Sequence, residues 1–262
     1  HGRGLVTRSI QLTDATGDLE LLVENLPDIR TESDEPVELP SGLLKKWEEE
    51  GRLEQELAEL DAFFKRTGYP RAPRFYLIKW LTDYIRKYGI DGYRLDTAKH
   101  IEEDVWAELL KEAQQAFEEW KRENSDQVMD DNEFYMVGEV YGYGISSGRE
   151  FWFGDRNVDF FEQAIHSLIY FEFKQHARLD YEQLFSMYSR YLQDQLSGKG
   201  VLNYISSHDD GDPYDRLRMQ PFESLTKLLL TPGSSQLYYG DESGRLLVVP
   251  GASGDANLRS NM

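Results

Sequence analysis

Apolar and polar positions along this chain alternate between a helical and a strand-like pattern. From Ser41 to Arg66, apolar residues recur at roughly helical spacing within a charged background, and a second amphipathic stretch runs from Arg74 to Tyr88. Gly89 follows it at the position where glycine commonly ends a helix. The pattern also predicts a helix that continues from residue 161 through Ile169. The remaining predicted helices are 102–122, 181–196 and 222–230.

Short apolar segments that lie between these helices have the character of strands. Parallel strands need crossover connections of this length, so the alternation indicates a parallel sheet covered by helices. The predicted strands are 90–96, 133–139, 157–161, 200–205 and 234–239.

Polar residues fall at or just beyond the carboxyl end of four of these strands. Asp96, Glu139, the pair His208 and Asp209, and the segment 241–242 each follow a different strand. An open doubly wound sheet and an eight-stranded barrel both fit the alternation of elements. In a barrel these ends converge on one mouth, where barrel enzymes place their chemistry, so the pattern favours a TIM-type (β/α)8 barrel with about three strands missing.

Composition excludes several classes of protein. There are 29 Lys and Arg residues against 48 Asp and Glu, a formal net charge of −19, which repels phosphate backbones and predicts no nucleic-acid partner. The absence of cysteine excludes disulfides and thiolate chemistry. The apolar runs are far shorter than the ~20 residues that span a bilayer, so no transmembrane segment is predicted. No signal peptide is visible at the start of the chain.

Two of the strand-end carboxylates are in surroundings that push their pKa values in opposite directions. Arg94 lies two residues before Asp96, on the same side of the strand, and favours the ionised form of that carboxylate. Glu139 ends an apolar strand close to Tyr141 and Tyr143, which favours its protonated form. An ionised and a protonated carboxyl are the pair that glycoside hydrolysis uses.

Each of these features has an ordinary structural explanation. An Arg-x-Asp pair is more commonly a salt bridge, and a glutamate at a strand end is usually only solvated. The segment 208–210 can serve as a loop cap. Their joint occurrence at the ends of successive strands is hard to explain by structure alone.

One longer segment resembles a known family. The stretch from Gly92 to His100 resembles the second signature segment of the α-amylase family, glycoside hydrolase family 13. Four more segments resemble family motifs in the family's order: 26–29 (end of the B domain), 137–140 (third signature), 204–209 (fourth signature) and 238–242 (eighth strand).

The resemblance covers about residues 18–262 and implies a (β/α)8 barrel represented mainly by strands 4–8, with part of the inserted B domain. Residues 1–40 are then part of the B domain and its connection into the barrel, and residues 41–262 are a partial catalytic barrel. The family's first signature segment, first strands and C-terminal β-sandwich are absent from the sequence.

The resemblance also implies roles for individual residues. Asp96 is expected to act as nucleophile and Glu139 as acid and base in retaining hydrolysis of α-1,4-glucosidic bonds in starch, glycogen or maltooligosaccharides. Asp209 and His208 are expected to bind sugar hydroxyls, and Arg94 to hold the nucleophile ionised.

Three more residues are implied by the same resemblance. Lys99 and His100 look like the α-amylase version of the second segment, which contacts sugars on the leaving-group side. A calcium ion commonly bridges the B domain and the barrel, with oxygen ligands that suit a hard cation. The backbone carbonyl of His100 and the carboxylate of Asp18 are its expected ligands here.

The expected partner is an α-glucan polysaccharide or oligosaccharide, and since such polymers are usually met outside the cytoplasm, a secreted or periplasmic location is expected. Two alternatives use the same residues: a 4-α-glucanotransferase or cyclomaltodextrinase-like activity, and an inactive, glucan-binding fragment.

Overall fold

The computed structural model describes residues 6–8, 27–152 and 156–261, with side chains from Ile29 onward. Its chain divides into two compact units. The first contains residues His1–Tyr93, Lys99–Tyr135 and Trp152–Val158, and the second contains Arg94–Ala98, Met136–Phe151 and Asp159–Met262. The division into residues 1–40 and 41–262 that the resemblance implies stays a prediction.

The part of the first unit that the structure describes contains a two-stranded antiparallel sheet and four helices. Strands β1 and β2 pair antiparallel, with Val6 opposite Ile29. No helix among the described residues is both long and apolar enough to cross a membrane. The elements are β1 (Val6–Arg8), β2 (Pro27–Ile29), α1 (Ser41–Glu49), α2 (Leu53–Thr67), α3 (Pro73–Tyr88) and α4 (Glu103–Glu123).

Glycines mark where these helices stop. The single helix expected over 41–66 is two helices, because Gly51 adopts a left-handed conformation (φ +68°) between α1 and α2. Helix α3 ends at Gly89, as predicted, where φ is +65°. A Cβ at Gly89 would lie 2.3 Å from the Trp120 ring of α4, so only glycine allows both the turn and the close approach of the two helices.

Five parallel strands form the sheet whose carboxyl edge belongs to the second unit. Its order is β3-β4-β7-β8-β9, so each strand follows its neighbour in chain order apart from the small β5–β6 sheet. A doubly wound sheet would reverse direction at a switch point, whereas consecutive order is that of a (β/α)8 barrel, here a partial one as predicted. The strands are β3 (Gly92–Leu95), β4 (Tyr135–Gly138), β5 (Glu150–Trp152), β6 (Asn157–Asp159), β7 (Ser167–Tyr170), β8 (Gly200–Tyr204) and β9 (Ser234–Gln236).

Four helices accompany these strands. The two longer ones begin at the residues expected from the sequence to within one position. The four are α5 (Phe160–Gln163), α6 (Phe173–His176), α7 (Tyr181–Gln193) and α8 (Pro221–Leu230).

The third strand of the sheet is not the one expected from the sequence. Residues Asn157–Asp159 form β6 of the separate two-stranded sheet, and Ser167–Tyr170, which was expected to be helical as far as Ile169, forms β7. All four residues of β7 are buried, so the strand has no alternation of apolar and polar positions. A central parallel strand with both faces buried has this continuous apolar pattern, which a short helix shares.

Candidate active site

Three of the sheet's strands bring the predicted carboxylates to one edge. Asp96 follows β3, Glu139 follows β4, and the loop after β8 carries His208 and Asp209. A cavity of about 270 Å³ opens there within the second unit. It is lined by Arg94, Glu139, Ile169, Phe171, Tyr204, Ser207, His208, Asp209, Gln236, Leu237 and Tyr238.

Arg94 connects the two carboxyls of the expected catalytic pair. One terminal nitrogen of its guanidinium donates a hydrogen bond to Asp96 Oδ1, and the other lies 3.2 Å from Glu139 Oε1. The hydrogen bond from Arg94 is the main reason that the pKa of Asp96 lies below its ordinary value, and it outweighs the opposing effect of partial burial. Asp96 is therefore held as a carboxylate.

Glu139 is in the opposite situation. Its side chain is only 9% exposed, against 68% for that of Asp96. Burial raises the pKa of Glu139, and the nearby charge of Asp96 raises it further, against the lowering effects of the Thr97 N–H and Arg94. The direction agrees with the sequence, but the cause is burial and Asp96 rather than the two tyrosines that follow in the chain.

Backbone groups of the segment after β3 fix the orientation of Glu139. Thr97 has a left-handed conformation (φ +45°) that is unusual for a β-branched residue, and its N–H donates to Glu139 Oε2 at 2.9 Å. The Ala98 N–H donates to the Glu139 carbonyl at 2.8 Å, and the Glu139 N–H donates to the carbonyl of Leu95 at 2.9 Å. One hydrogen bond to the Glu139 side chain and two to its backbone thus join the residue to the segment that carries Asp96.

The loop after β8 holds the third carboxylate of the site. The Ser207 hydroxyl donates to Asp209 Oδ1 at 2.9 Å, and His208 Nε2 lies 3.4 Å from Asp209 Oδ2. Arg259 Nε donates to the His208 carbonyl at 2.8 Å. These contacts place the two predicted sugar-binding side chains on the same cavity as Glu139.

Asp210, next in the chain, has a structural role in the same loop. Its carboxylate accepts hydrogen bonds from Lys174 Nζ and from the Tyr204 hydroxyl, the latter at 2.5 Å. Burial raises the pKa of Asp210, but the hydrogen bonds from Lys174 and Tyr204 more than offset this and leave the pKa below its ordinary value. Asp210 is therefore a partly buried anion held by a buried cation.

Replacing Lys174 by methionine is expected to lower the free energy of unfolding by about 3 kcal/mol at neutral pH, because Asp210 loses its counter-charge. The depressed pKa of Asp210 means that its contribution is present above its unfolded pKa and is lost as pH falls through its folded pKa. The difference between the two proteins should thus shrink toward low pH. Urea unfolding at several pH values measures it, and an equal difference at all pH values would contradict this assignment.

The other predicted site residues lie elsewhere in the chain. Lys99 and His100 belong to the first unit, where they form part of the 3-10 turn Ala98–His100, with Lys99 buried and His100 half-buried. Asp18 lies outside the described residues. Among the residues that the structure describes, no group of three or more His, Cys, Asp or Glu side chains could hold a metal ion.

The calcium prediction depends on Asp18 and can be tested by chelation. A bound ion stabilises the folded state by mass action, so we expect excess chelator to lower Tm by about 5 °C or more, and added calcium to restore it. The variant Asp18→Asn should lose this sensitivity. A melting curve that chelator leaves unchanged would remove calcium from the description of this chain.

Several residues that line the cavity were not singled out by the sequence. Phe171 follows β7, whose position in the sheet was not predicted, and Tyr204 ends β8 within the segment that resembles a signature. Tyr238 lies two residues after β9, at the start of the segment 238–242 that resembles a family motif, but was given no role. Their shared position at the carboxyl edge of the sheet is the signal that could have found them.

Comparison with known proteins identifies a family and several relatives. Residues 71–250, more than half of the chain, match the family model described as "Alpha amylase, catalytic domain". The periplasmic alpha-amylase of Escherichia coli is 35% identical over 94% of this chain and 32% of its own length. A cyclomaltodextrinase of a Bacillus species is 26% identical over 64% of this chain and 28% of its length.

Among solved structures, an Anoxybacillus alpha-amylase aligns with a TM-score of 0.48 and 22% identity, over 66% of this chain and 36% of that one. The chain spans about a third or less of the length of the curated relatives it matches. The match to the family model agrees with the consecutive parallel strands and with the carboxyl groups at their ends. The chain belongs to the α-amylase catalytic-domain family.

Proposed function

We propose that this protein hydrolyses α-1,4-glucosidic bonds in starch, glycogen or maltooligosaccharides with retention of configuration. The observation that carries the proposal is the pair of carboxyls at the ends of adjacent strands, Asp96 with a lowered pKa and Glu139 with a raised one. An ionised nucleophile beside a protonated acid is what the retaining mechanism requires.

In the first step, a carboxylate oxygen of Asp96 attacks the anomeric carbon as the bond to the glycosidic oxygen breaks. The proton of Glu139 passes to the departing oxygen, and a β-glycosyl ester on Asp96 remains. In the second step, water attacks the same carbon, Glu139 takes its proton, and the ester bond to Asp96 breaks. Two inversions restore the α-configuration, and each group returns to its starting state.

The surrounding residues position the sugar. Asp209 and His208 share the cavity with Glu139 and present hydrogen-bonding groups to ring hydroxyls. Lys99 and His100 are proposed to contact the leaving-group side, as the family resemblance implies. A neutral glucan is compatible with a chain whose net charge is −19. The relative from Escherichia coli is named a periplasmic alpha-amylase, which supports a location outside the cytoplasm.

The deciding experiment is incubation of this chain with soluble starch, with reducing ends followed over time and the first products observed by NMR. Retaining hydrolysis releases α-anomers before mutarotation. Early β-anomers would exclude the covalent mechanism. A folded protein without turnover would leave the alternative of an inactive, glucan-binding fragment, which starch-affinity electrophoresis then tests.

Replacing Arg94 by methionine should lower kcat/KM by about 100-fold and move the whole pH profile upward. Arg94 lowers the pKa of Asp96, so without it the acidic limb, where Asp96 is protonated, moves to higher pH. Arg94 also lowers the pKa of Glu139, so the alkaline limb moves the same way. The measurement is kcat/KM against pH.

Arg94→Lys is the matched control, because it keeps the charge and loses the two-pronged geometry. The acidic and alkaline limbs of the pH profile of Arg94→Lys should stay close to those of the wild type, although its kcat/KM falls. An acidic limb that does not move in Arg94→Met would show that Arg94 does not set the ionisation of Asp96.

A second activity is favoured by one of the comparisons. The relative named cyclomaltodextrinase supports an activity on cyclomaltodextrins. The same covalent intermediate can also pass its glycosyl unit to a sugar instead of water, as in a 4-α-glucanotransferase. Product analysis separates these outcomes. Transfer lengthens some maltooligosaccharides without a net gain of reducing ends, whereas hydrolysis gains one reducing end for each bond that is cleaved.

A further inference from the structure

Asp241 is a buried carboxylate that the proposed reaction does not use. The residue is 1% exposed and has three partners. The Arg218 guanidinium donates to its Oδ1 at 2.6 Å, the Ser206 hydroxyl donates to the same oxygen at 2.5 Å, and the Tyr238 N–H donates to Oδ2 at 3.0 Å. Each oxygen of this carboxylate thus has at least one donor.

These partners come from the loops after two neighbouring strands. Ser206 lies two residues after β8, directly before the segment with Ser207, His208 and Asp209. Tyr238 lies two residues after β9 and lines the same cavity. The Asp241 carboxylate therefore connects the loop after β8, which carries His208 and Asp209, to the loop after β9, where Tyr238 lines the cavity.

Arg218 lies in a turn whose backbone conformation is unfavourable for residues other than glycine. Its side chain is 4% exposed, and its Nε donates to the Arg245 carbonyl at 2.8 Å. Arg218 has φ +54° and Asp215 has φ +51°, a region that residues other than glycine rarely adopt. The Asp215 carboxylate accepts the N–H groups of Met219 and Gln220 at 2.6 and 2.7 Å, which stabilises the turn. Strained backbone of this kind is concentrated at functional sites.

A buried ion pair adds little to the free energy of unfolding compared with apolar residues of the same volume. The Arg218–Asp241 pair is therefore better explained by the positions in which it holds the neighbouring groups. We propose that Arg218 and Asp241 are positioning residues for the glucan site: their ion pair fixes Ser206 and thereby the orientation of Asp209 and His208. This inference rests on the proposed function, because it assigns the pair to the reaction through Asp209.

A double-mutant cycle between Asp241 and Asp209 tests the proposal. Asp241→Asn keeps the size of the side chain but leaves Arg218 without its counter-charge, and we expect it to lower kcat/KM on maltooligosaccharides about 30-fold. In the Asp209→Asn background the same change should have less than about a threefold effect, because the positioned group is already lost. Asp212→Asn, an exposed carboxylate on the same loop, is the control and should leave the rate unchanged.

Two further measurements separate positioning from folding and from failure of the proposed function. Arg218→Met combined with Asp241→Leu replaces the pair by apolar side chains but also removes the acceptor of the Ser206 hydroxyl and the Tyr238 N–H, so Tm should fall while the protein stays folded, and kcat/KM should stay low. The NMR signals of the His208 ring should shift in both Asp241→Asn and Ser206→Ala, with or without turnover.

Absence of turnover in the wild type would overturn the proposed function. The His208 signals would still show whether the Arg218–Asp241 ion pair positions the His208 ring. Additive losses in the cycle, or His208 signals that coincide with those of the wild type in both variants, would overturn the positioning role. A Met/Leu variant that regains the full rate would do the same.

Discussion

Replacing Glu139 by glutamine is expected to lower kcat on starch by about 10³-fold or more while KM changes little. Gln keeps the size of the side chain and an oxygen that can accept the Thr97 N–H, which now bonds Glu139 Oε2 at 2.9 Å. The amide cannot donate a proton to the departing oxygen, and it cannot take one from the attacking water. Both chemical steps therefore slow, whereas binding of the sugar is retained.

The choice of substrate makes this test specific for proton transfer. Fluoride leaves a glycosyl fluoride without protonation, so Glu139→Gln should form the glycosyl ester from an α-glycosyl fluoride at close to the normal rate. Azide needs no general base, and its attack on the ester should restore turnover and give an α-glycosyl azide. If neither the glycosyl fluoride nor azide restored activity to Glu139→Gln, Glu139 would not be the acid and base.

Glu182→Gln is a suitable control for the chemistry of the substitution. Glu182 is exposed on α7 and accepts a hydrogen bond from the Ser186 hydroxyl at 2.9 Å, which a glutamine oxygen can also accept. This variant should have the activity of the wild type. The pH profile adds a second check, because the alkaline limb reflects deprotonation of Glu139, whose pKa is raised, and should be absent in Glu139→Gln with the fluoride substrate.

The features that the sequence predicted well depend on local order along the chain. Asp96 and Glu139 each directly follow a strand, and parallel strands that pair in chain order bring their carboxyl ends to one edge. Arg94 and Asp96 are two residues apart on one strand, so their contact also follows from the strand period. Local order was sufficient for these residues because the pairing of consecutive parallel strands brings their carboxyl ends together.

Contacts between distant residues could not be predicted in this way. Lys174 and Asp210 are 36 positions apart, and Arg218 and Asp241 are 23 apart. Asp210 and Asp241 lie in segments that the sequence analysis placed after strands, but nothing in a single sequence indicates that Lys174 and Arg218 are buried and are their partners. Strand β7 was missed for a related reason, because four buried residues in succession have no period from which to distinguish a strand from a helix.

Replacing Asp96 by asparagine should have the largest effect of all, a loss in kcat on the order of 10⁵-fold, because the nucleophile itself is removed. The amide oxygen can still accept the hydrogen bond from Arg94, so the loop after β3 should keep its conformation and Tm should change little. The loss of negative charge beside Glu139 has a second consequence. Since the charge of Asp96 raises the pKa of Glu139, that pKa should fall in the variant.

The test of Asp96 is direct detection of the covalent intermediate. A 5-fluoro α-glycosyl fluoride forms the ester quickly and releases it slowly, so mass spectrometry of the wild type should show one added glycosyl unit on the peptide that contains Asp96. The Asp96→Asn protein should show none. Asp180→Asn is the control, because Asp180 caps α7 through the Gln183 N–H at 2.8 Å and asparagine caps equally well. An adduct in Asp96→Asn, or on a different carboxylate in the wild type, would assign the nucleophile elsewhere. No adduct in a wild type that turns over starch with early β-anomers would replace the covalent mechanism by direct attack of water, with the same two carboxyls as acid and base.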